Sequence, residues 1–157
     1  MSVLEKIENS PFKLDSFMII ESHIEREPGA LQEVKVKISP KGILNRTKKN
    51  FSLFLDVSVQ DNVSVTINIS CVGSFRFKND INEQQLSNYF LINAPSIIFP
   101  YIRSYISALT ALSGLPAVNL PVMNLTSLKE DLKNNIKDIS SKSKSTTKAK
   151  TGNKLIN

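Results

Sequence analysis

Few side chains in this sequence could do covalent or metal chemistry. The 157 residues include one histidine, His23, and one cysteine, Cys71. Zinc sites and nucleophilic triads draw on several such side chains, so these chemistries lack their main ingredients. His23 stands between Glu21 and Glu25 in an extended segment, which favours a surface position, and Cys71 continues the apolar face of a strand. We therefore expect no catalytic residue, no metal site, no cofactor and no enzymatic activity.

The net charge of +6 is concentrated near the C-terminus. Residues 1–128 contain 12 basic and 11 acidic side chains, a net charge of +1, whereas residues 129–157 contain 8 lysines and 3 acids, a net charge of +5. From residue 139 the chain is rich in Ser, Thr and Lys, a composition that buries too little surface to offset its ordering entropy. We predict one folded domain over residues 1–138 and a disordered tail over 139–157.

Nothing in the sequence indicates a targeting or membrane-spanning segment. The first ten residues include acids, and they lack the apolar core that a signal peptide has. Later apolar runs are interrupted by Asn, Pro or Arg before they reach the length of a membrane span. The expected location is the cytoplasm, without membrane insertion.

Alternating apolar and polar residues predict four strands in the first half of the chain. The clearest pattern runs through residues 51–59 and 63–71, which are separated by the turn-forming residues 60–62. Residues 33–39 alternate aliphatic with charged side chains. Residues 12–24 alternate less regularly, with one face predicted to hold Met18, Ile20 and Ile24 and the other Phe17, Ile19 and Glu21. We predict an antiparallel sheet in meander order with one packed face.

After Pro100 the hydrophobic period changes from two residues to three and four. Pro100 suits a first helical turn and Gly114 a helix end, so a helix is predicted between them. Leu115–Leu125 is predicted to be an apolar, non-helical connection. A second helix is predicted from Thr126, with one apolar stripe of Leu128, Leu132 and Ile136. Strands followed by helices predict an α+β domain, with two helices packed on one side of a four-stranded antiparallel sheet.

The most specific pattern lies between Asn93 and Asn124. Its motifs are, in order, Asn93-Ala94-Pro95, Phe99-Pro100-Tyr101-Ile102-Arg103, Leu109, Ser113-Gly114-Leu115-Pro116, Asn119-Leu120, Pro121-Val122 and Asn124. This order and spacing resemble the signature of the SecB export-chaperone family, N-x-P, F-P-Y-A-R, L, R-G-x-F-P, N-L, P-V and N-F. Weaker similarity at residues 33–38 and 71–75 extends the resemblance to residues 12–136.

The resemblance implies a homo-oligomeric chaperone, a dimer of dimers, that binds unfolded or nascent proteins without ATP for export. It implies a client-binding groove formed by Val34, Val36, Ile38, Tyr101, Leu128, Leu132 and Ile136. Glu21 and Glu25 match two acids with which the family docks the translocation ATPase. The family also includes SecB-like chaperones dedicated to an antitoxin in a toxin–antitoxin system, and this is the alternative role.

Several positions depart from the family's pattern. Ile102 replaces a small residue, Leu115 replaces an aromatic residue, and Asn68 stands at a fourth-strand position that carries an acid in the family. The tail is basic where the family's tail is acidic, and it leaves open another class of function, a small basic module that binds nucleic acid through salt-sensitive contacts. The near neutrality of residues 1–128 speaks against that class.

Overall fold

The computed structural model describes residues 11–78, 80, 82–114 and 116–140. Four strands come first: β1 (Phe12–Arg26), β2 (Lys35–Asn45), β3 (Asn50–Gln60) and β4 (Val65–Phe77). A helical run follows, composed of α1 (Glu83–Leu86), a π-helical segment (Ser87–Asn93) and α2 (Ala94–Leu112). The last elements are a 3-10 turn (Leu125–Leu128), α3 (Lys129–Asn134) and β5 (Ile136–Asp138). None of the helices among the described residues has both the length and the hydrophobicity that a membrane span needs.

The strands form one sheet in the order β1-β4-β3-β2-β5. β2, β3 and β4 pair as consecutive antiparallel hairpins, as predicted. The predicted meander is wrong for β1, which pairs with β4 because residues 27–34 cross the end of the sheet and place β2 on the far side. The sheet has five strands instead of four because Ile136–Asp138 pairs in parallel with Gly42–Leu44.

Asp61 fixes both the β3–β4 turn and the crossover from β1 to β2. Its carboxylate, on a side chain that is 4% exposed, accepts hydrogen bonds from the backbone N–H groups of Val63 (3.0 Å), Ser64 (2.8 Å) and Val65 (2.9 Å). It also accepts the Ser64 hydroxyl (2.6 Å) and the Gln32 N–H of the crossover (3.1 Å). The pKa of Asp61 lies well below its usual range, mainly because of the hydrogen bond from the Ser64 hydroxyl and further because of the bonds from these amides.

Two bulges interrupt β1, one at residue 15 and one at residue 20. The second bulge shifts the alternation by one residue. The predicted faces are therefore right up to Ile19 and wrong beyond it: Ile24 packs against the core, whereas Glu21 lies on the exposed face. We call the face of the sheet that packs under the helices the inner face, and the opposite one the outer face.

The core lies between the inner face and the helical run. Glycine at position 73 lets α2 approach β4, because a Cβ there would lie 1.8 Å from Ile98 Cδ1. Two residues further along the ladder, stacked aromatic rings hold the π-helical segment, with 4.3 Å between the ring centroids of Phe51 and Phe90. The inner face is completed by fully buried aliphatic residues of β3 and β4, namely Leu53, Leu55, Val57, Val59, Ile67 and Ile69.

The first of the two predicted helices begins earlier than predicted and ends where expected. α2 begins at Ala94, and Pro100 lies inside it. Proline removes one N–H from the helix ladder and so takes away the usual donor to the Ser96 carbonyl, at an exposed residue of the helix. The helix ends at Leu112, and Gly114 follows with a positive φ of 83°, as a helix terminator does.

The second predicted helix is much shorter than its apolar stripe suggested. α3 ends at Asn134, and the Asn135 side chain turns back to donate to the Asp131 carbonyl (2.7 Å). Two consecutive asparagines are poor helix formers, so the chain leaves the helix and Ile136 joins the sheet. The prediction of one helical stripe is therefore wrong for Ile136. Residues 141–157 of the predicted tail lie outside the described residues.

We predict that Asp61→Asn lowers the melting temperature by at least roughly 5 °C, because an amide cannot accept the same set of five donors. Since the folded-state pKa of Asp61 is lowered, its stabilisation is present above about pH 4 and is lost as the pH falls below it. The difference between wild type and variant should shrink in acid, measured by thermal unfolding from pH 7 to pH 3. A matched control is Asp56→Asn, which makes the same change from carboxylate to amide at an exposed residue whose Oδ1 accepts the Ser70 hydroxyl; an equal loss in both variants contradicts the assignment.

Candidate functional site

Three residues of the predicted groove lie at the β2 side of the sheet. Val34 directly precedes β2 and is half-buried, as is Val36, and Ile38 is 9% exposed. Within the part of the chain that the structure describes, β5 covers the outer edge of β2 only at Gly42–Leu44. Apart from Pro40, which has no N–H to donate, the outward-facing backbone groups between Lys35 and Lys41 are therefore open to a further strand, beside a row of aliphatic side chains.

Tyr101 lies on the opposite side of the molecule. Its side chain, on α2, is 49% exposed, and its ring stacks on Phe17 of β1 with 5.1 Å between ring centroids. β1 and β2 are separated by β4 and β3, which amounts to three strand spacings or about 14 Å. The structure thus does not bring Tyr101 together with the β2 residues in one protomer.

The three C-terminal residues of the predicted groove differ in accessibility. Leu132 is completely buried in the core, and Leu128 is 9% exposed. Ile136 is half-buried on β5 and packs against the edge of the core. Of these three side chains, Ile136 is the one placed at an accessible edge, next to β2.

The predicted docking acids lie on the outer face of β1. Glu21 and Glu25 are both exposed, and His23 stands between them, its Nε2 3.0 Å from Glu25 Oε1. Asn68 of β4 pairs with His23 in the ladder, so the position that departs from the family's pattern belongs to the same surface. The same outer face carries the exposed lysines Lys35 and Lys37 of β2, towards the opposite edge of the sheet.

Cys71 has the packing role that its position on β4 predicts. It is 1% exposed on the inner face, and burial raises the pKa of its thiol to about 11. A buried thiol with a raised pKa is protonated at neutral pH and is a poor nucleophile.

The sequence reasoning missed a cavity of about 420 Å³ beside β5. Its apolar lining comprises Leu44, Leu86, Leu91 and Ile136, and its charged lining comprises Arg46, Glu83, Lys129, Glu130, Lys133 and Asp138. The one available signal was Gly42 in the middle of a strand, which often marks a close approach of another segment. The cavity thus combines an apolar floor with charged side chains of both signs.

This architecture is that of a known chaperone fold. The chain superposes on a SecB-like chaperone of Mycobacterium tuberculosis, solved in complex with a ChAD peptide from the HigA1 antitoxin, with a TM-score of 0.61. The sequence identity is 15%, and the match covers 76% of this chain and 92% of that chain. The α+β fold with helices on one face of the sheet is therefore SecB-like.

The model of the family described as preprotein translocase subunit SecB matches residues 18–135. The chain belongs to the SecB family. It is 29% identical over 97 residues to the protein-export protein SecB of Ehrlichia canis and 34% identical over 64 residues to that of Anaplasma phagocytophilum. The matched parts cover 55% and 40% of this chain, respectively, and the chain spans about half the length of the curated relatives that it matches.

We expect Leu132→Ala to lower the free energy of unfolding by about 2–5 kcal/mol, because it empties a fully buried site. Tyr101→Ala, at a half-exposed site, should cost less than about 1 kcal/mol. Urea unfolding of both variants measures the difference. Similar losses would show that Leu132 is not the core residue that the structure makes it.

Proposed function

We propose that this protein is an ATP-independent holdase that binds extended segments of unfolded or nascent proteins. The observation that carries the proposal is the open edge of β2 between Lys35 and Lys41, with half-buried valines beneath it. Strand addition satisfies the backbone of any extended client, and the aliphatic row accepts its apolar side chains. Many weak contacts of this kind add up along a client.

Binding without turnover fits the chemistry of the described side chains. The buried Cys71 thiol is protonated, and exposed His23 contacts Glu25 rather than a nucleophile. In this proposal the action uses no cofactor and no nucleotide. Its expected place is the cytoplasm, where nascent chains are met before export.

Two client classes fit the proposal. Family relatives in Ehrlichia and Anaplasma are named protein-export proteins, which favours secretory clients and delivery to the translocation ATPase. Under this role Glu21 and Glu25 would offer exposed carboxylates to a basic segment of that ATPase. The second candidate is a dedicated antitoxin, favoured by the likeness of the fold to a chaperone solved with an antitoxin peptide.

We predict that the protein suppresses aggregation of a chemically denatured model protein at up to equimolar ratio, measured by light scattering. Val36→Asp should weaken client affinity about tenfold, because a carboxylate would enter the aliphatic row. Lys37→Asp is the control, since it puts a carboxylate on the exposed outer face of the same strand and changes the net charge by more than Val36→Asp does. Lack of suppression by wild type, or equal weakening in both variants, refutes the proposed surface.

Nucleic-acid binding, the rival function, makes a different prediction for the same experiments. A lysine-rich tail would bind RNA or single-stranded DNA with steep salt dependence. Client binding on an aliphatic row should instead change little when salt is raised from 50 to 300 mM, values chosen to span the usual screening range. The salt series therefore distinguishes the two functions with one protein preparation.

We further propose that β1 is the edge through which protomers associate. It is 15 residues long, pairs only with β4 among the described strands, and exposes Met18 (58%) and Ile20 (54%). Long exposed edges with apolar side chains are normally covered by another chain. Tyr101 and Phe17 stack at the same side of the sheet and would extend such an interface.

Ile20→Lys is expected to reduce the molar mass in solution to that of a smaller assembly, because a charge would enter the covered edge. The matched control is Val63→Lys, at a loop position of similar exposure (64%) at the turn between β3 and β4. Light scattering coupled to size exclusion reads out both variants. A monomeric wild type, or no change in the Ile20 variant, argues against this interface.

A further inference from the structure

The segment after α3 occupies the outer edge of β2 as a client strand would. The Gly42 N–H donates to the Asn135 carbonyl (3.1 Å), and the Ile139 N–H donates to the Leu44 carbonyl (2.8 Å). Between these two bonds, Ile136–Asp138 runs parallel to Gly42–Leu44. The segment thus satisfies the backbone of part of an edge that is otherwise open from Lys35 to Lys41.

Gly42 provides a seat for the side chain of Ile136. A Cβ at position 42 would lie 2.7 Å from Phe51 Cε2 and 3.0 Å from Ile136 Cγ1. Glycine therefore leaves a notch in the edge strand that the Phe51 ring of β3 and the Ile136 side chain of β5 fill together. Ile136 closes it from outside and packs against the core.

An ionic contact fastens the same segment two residues later. Arg46 Nε donates to Asp138 Oδ2 (3.1 Å), and the Arg46 N–H donates to the Ser140 hydroxyl (2.7 Å). The Ser140 N–H donates in turn to Asp138 Oδ1 (2.9 Å). These groups, the Ser140 hydroxyl first, hold the pKa of Asp138 below its usual range. Two features of the segment therefore hold it in place: an aliphatic side chain, and a carboxylate two positions later.

The contact is short enough to be displaced. Three residues pair with β2, Lys137 and Asp138 are exposed, and Ile139 is 48% exposed. A client strand laid along Lys35–Leu44 would pair with more of β2 than these three residues do, with one donor missing at Pro40, and it would reach the cavity beside β5 once they leave.

We propose that the edge of β2 at Gly42–Leu44 is a strand-addition site for client segments, and that residues 136–140 are its resident occupant, which a client displaces. The preferred client segment is extended and carries an aliphatic residue for the Gly42 notch and an acidic residue two positions later for Arg46. The inference rests on the proposed holdase function and adds to it a self-competing segment and a client pattern.

The test uses the full chain and a fluorescein-labelled peptide with the sequence Asn-Ile-Lys-Asp-Ile-Ser, copied from residues 135–140. Ile139→Pro removes the N–H that donates to Leu44, so the resident segment is released more often. If the edge is free about a tenth of the time in wild type, full release raises peptide affinity about tenfold, read by fluorescence anisotropy. Lys137→Ala, an exposed change on the same strand, is the matched control and should leave the affinity unchanged.

A second variant and a second peptide keep the test decisive. Asp138→Lys breaks the contact with Arg46 at an exposed position and should also raise affinity, at least threefold on the same reasoning. A peptide with lysine in place of its aspartate should bind the Ile139→Pro variant more weakly than the original peptide. Unchanged affinity in both variants, or indifference to the peptide's aspartate, overturns the inference.

The denatured model protein separates this inference from the proposed function. If wild type binds that client and neither variant binds it more tightly, the inference fails and the holdase function stands. If the variants bind the peptide more tightly but no form of the protein binds the client, strand competition stands and the holdase function fails. Tighter binding of both ligands by both variants supports the two together.

Discussion

The arrangement of the sheet depends on one buried carboxylate. Asp61 gathers the amides of the β3–β4 turn and one amide of the crossover, so a single side chain holds together segments 29 residues apart in sequence. Local turn bonds alone would fix only the hairpin. The bond to Gln32 ties the crossover to that hairpin, and the crossover is what sends β2 to the side of the sheet opposite β1.

With β1 and β2 on opposite sides, the two long edges of the sheet have different chemistry. The β1 edge is flanked by Met18, Ile20 and the Tyr101 ring, which suits a permanent interface with another protomer. The β2 edge has lysines on its outer face and is partly covered by the short strand β5, an arrangement that suits reversible binding of a ligand. Because an exposed strand edge invites aggregation, each edge needs its own form of cover.

The sequence predicts features that are set by local period and turn chemistry. The β3–β4 hairpin, the packed face with Cys71 and the helix end at Gly114 are all readable in this way. Strand order is not, because a two-residue period reports which face is buried and not which strand is the neighbour. An extra residue such as the bulge at position 20 leaves no mark in composition, so Ile24 and Glu21 were predicted on exchanged faces.

The candidate site was harder to predict for a related reason. A three-residue strand such as β5 has almost no periodicity of its own, and its pairing is decided by the Gly42 notch and by Arg46, more than 90 residues away in sequence. The predicted stripe placed Ile136 on a helix with Leu132, but the tertiary contacts at the sheet edge outweigh the weak helical preference of two asparagines. The contacts by which β5 covers the edge against nonspecific pairing are also the contacts that a client would have to form in order to displace β5. Under the strand-addition proposal, protection of the edge strand and selectivity for a client follow from one set of bonds, and neither can be strengthened without affecting the other.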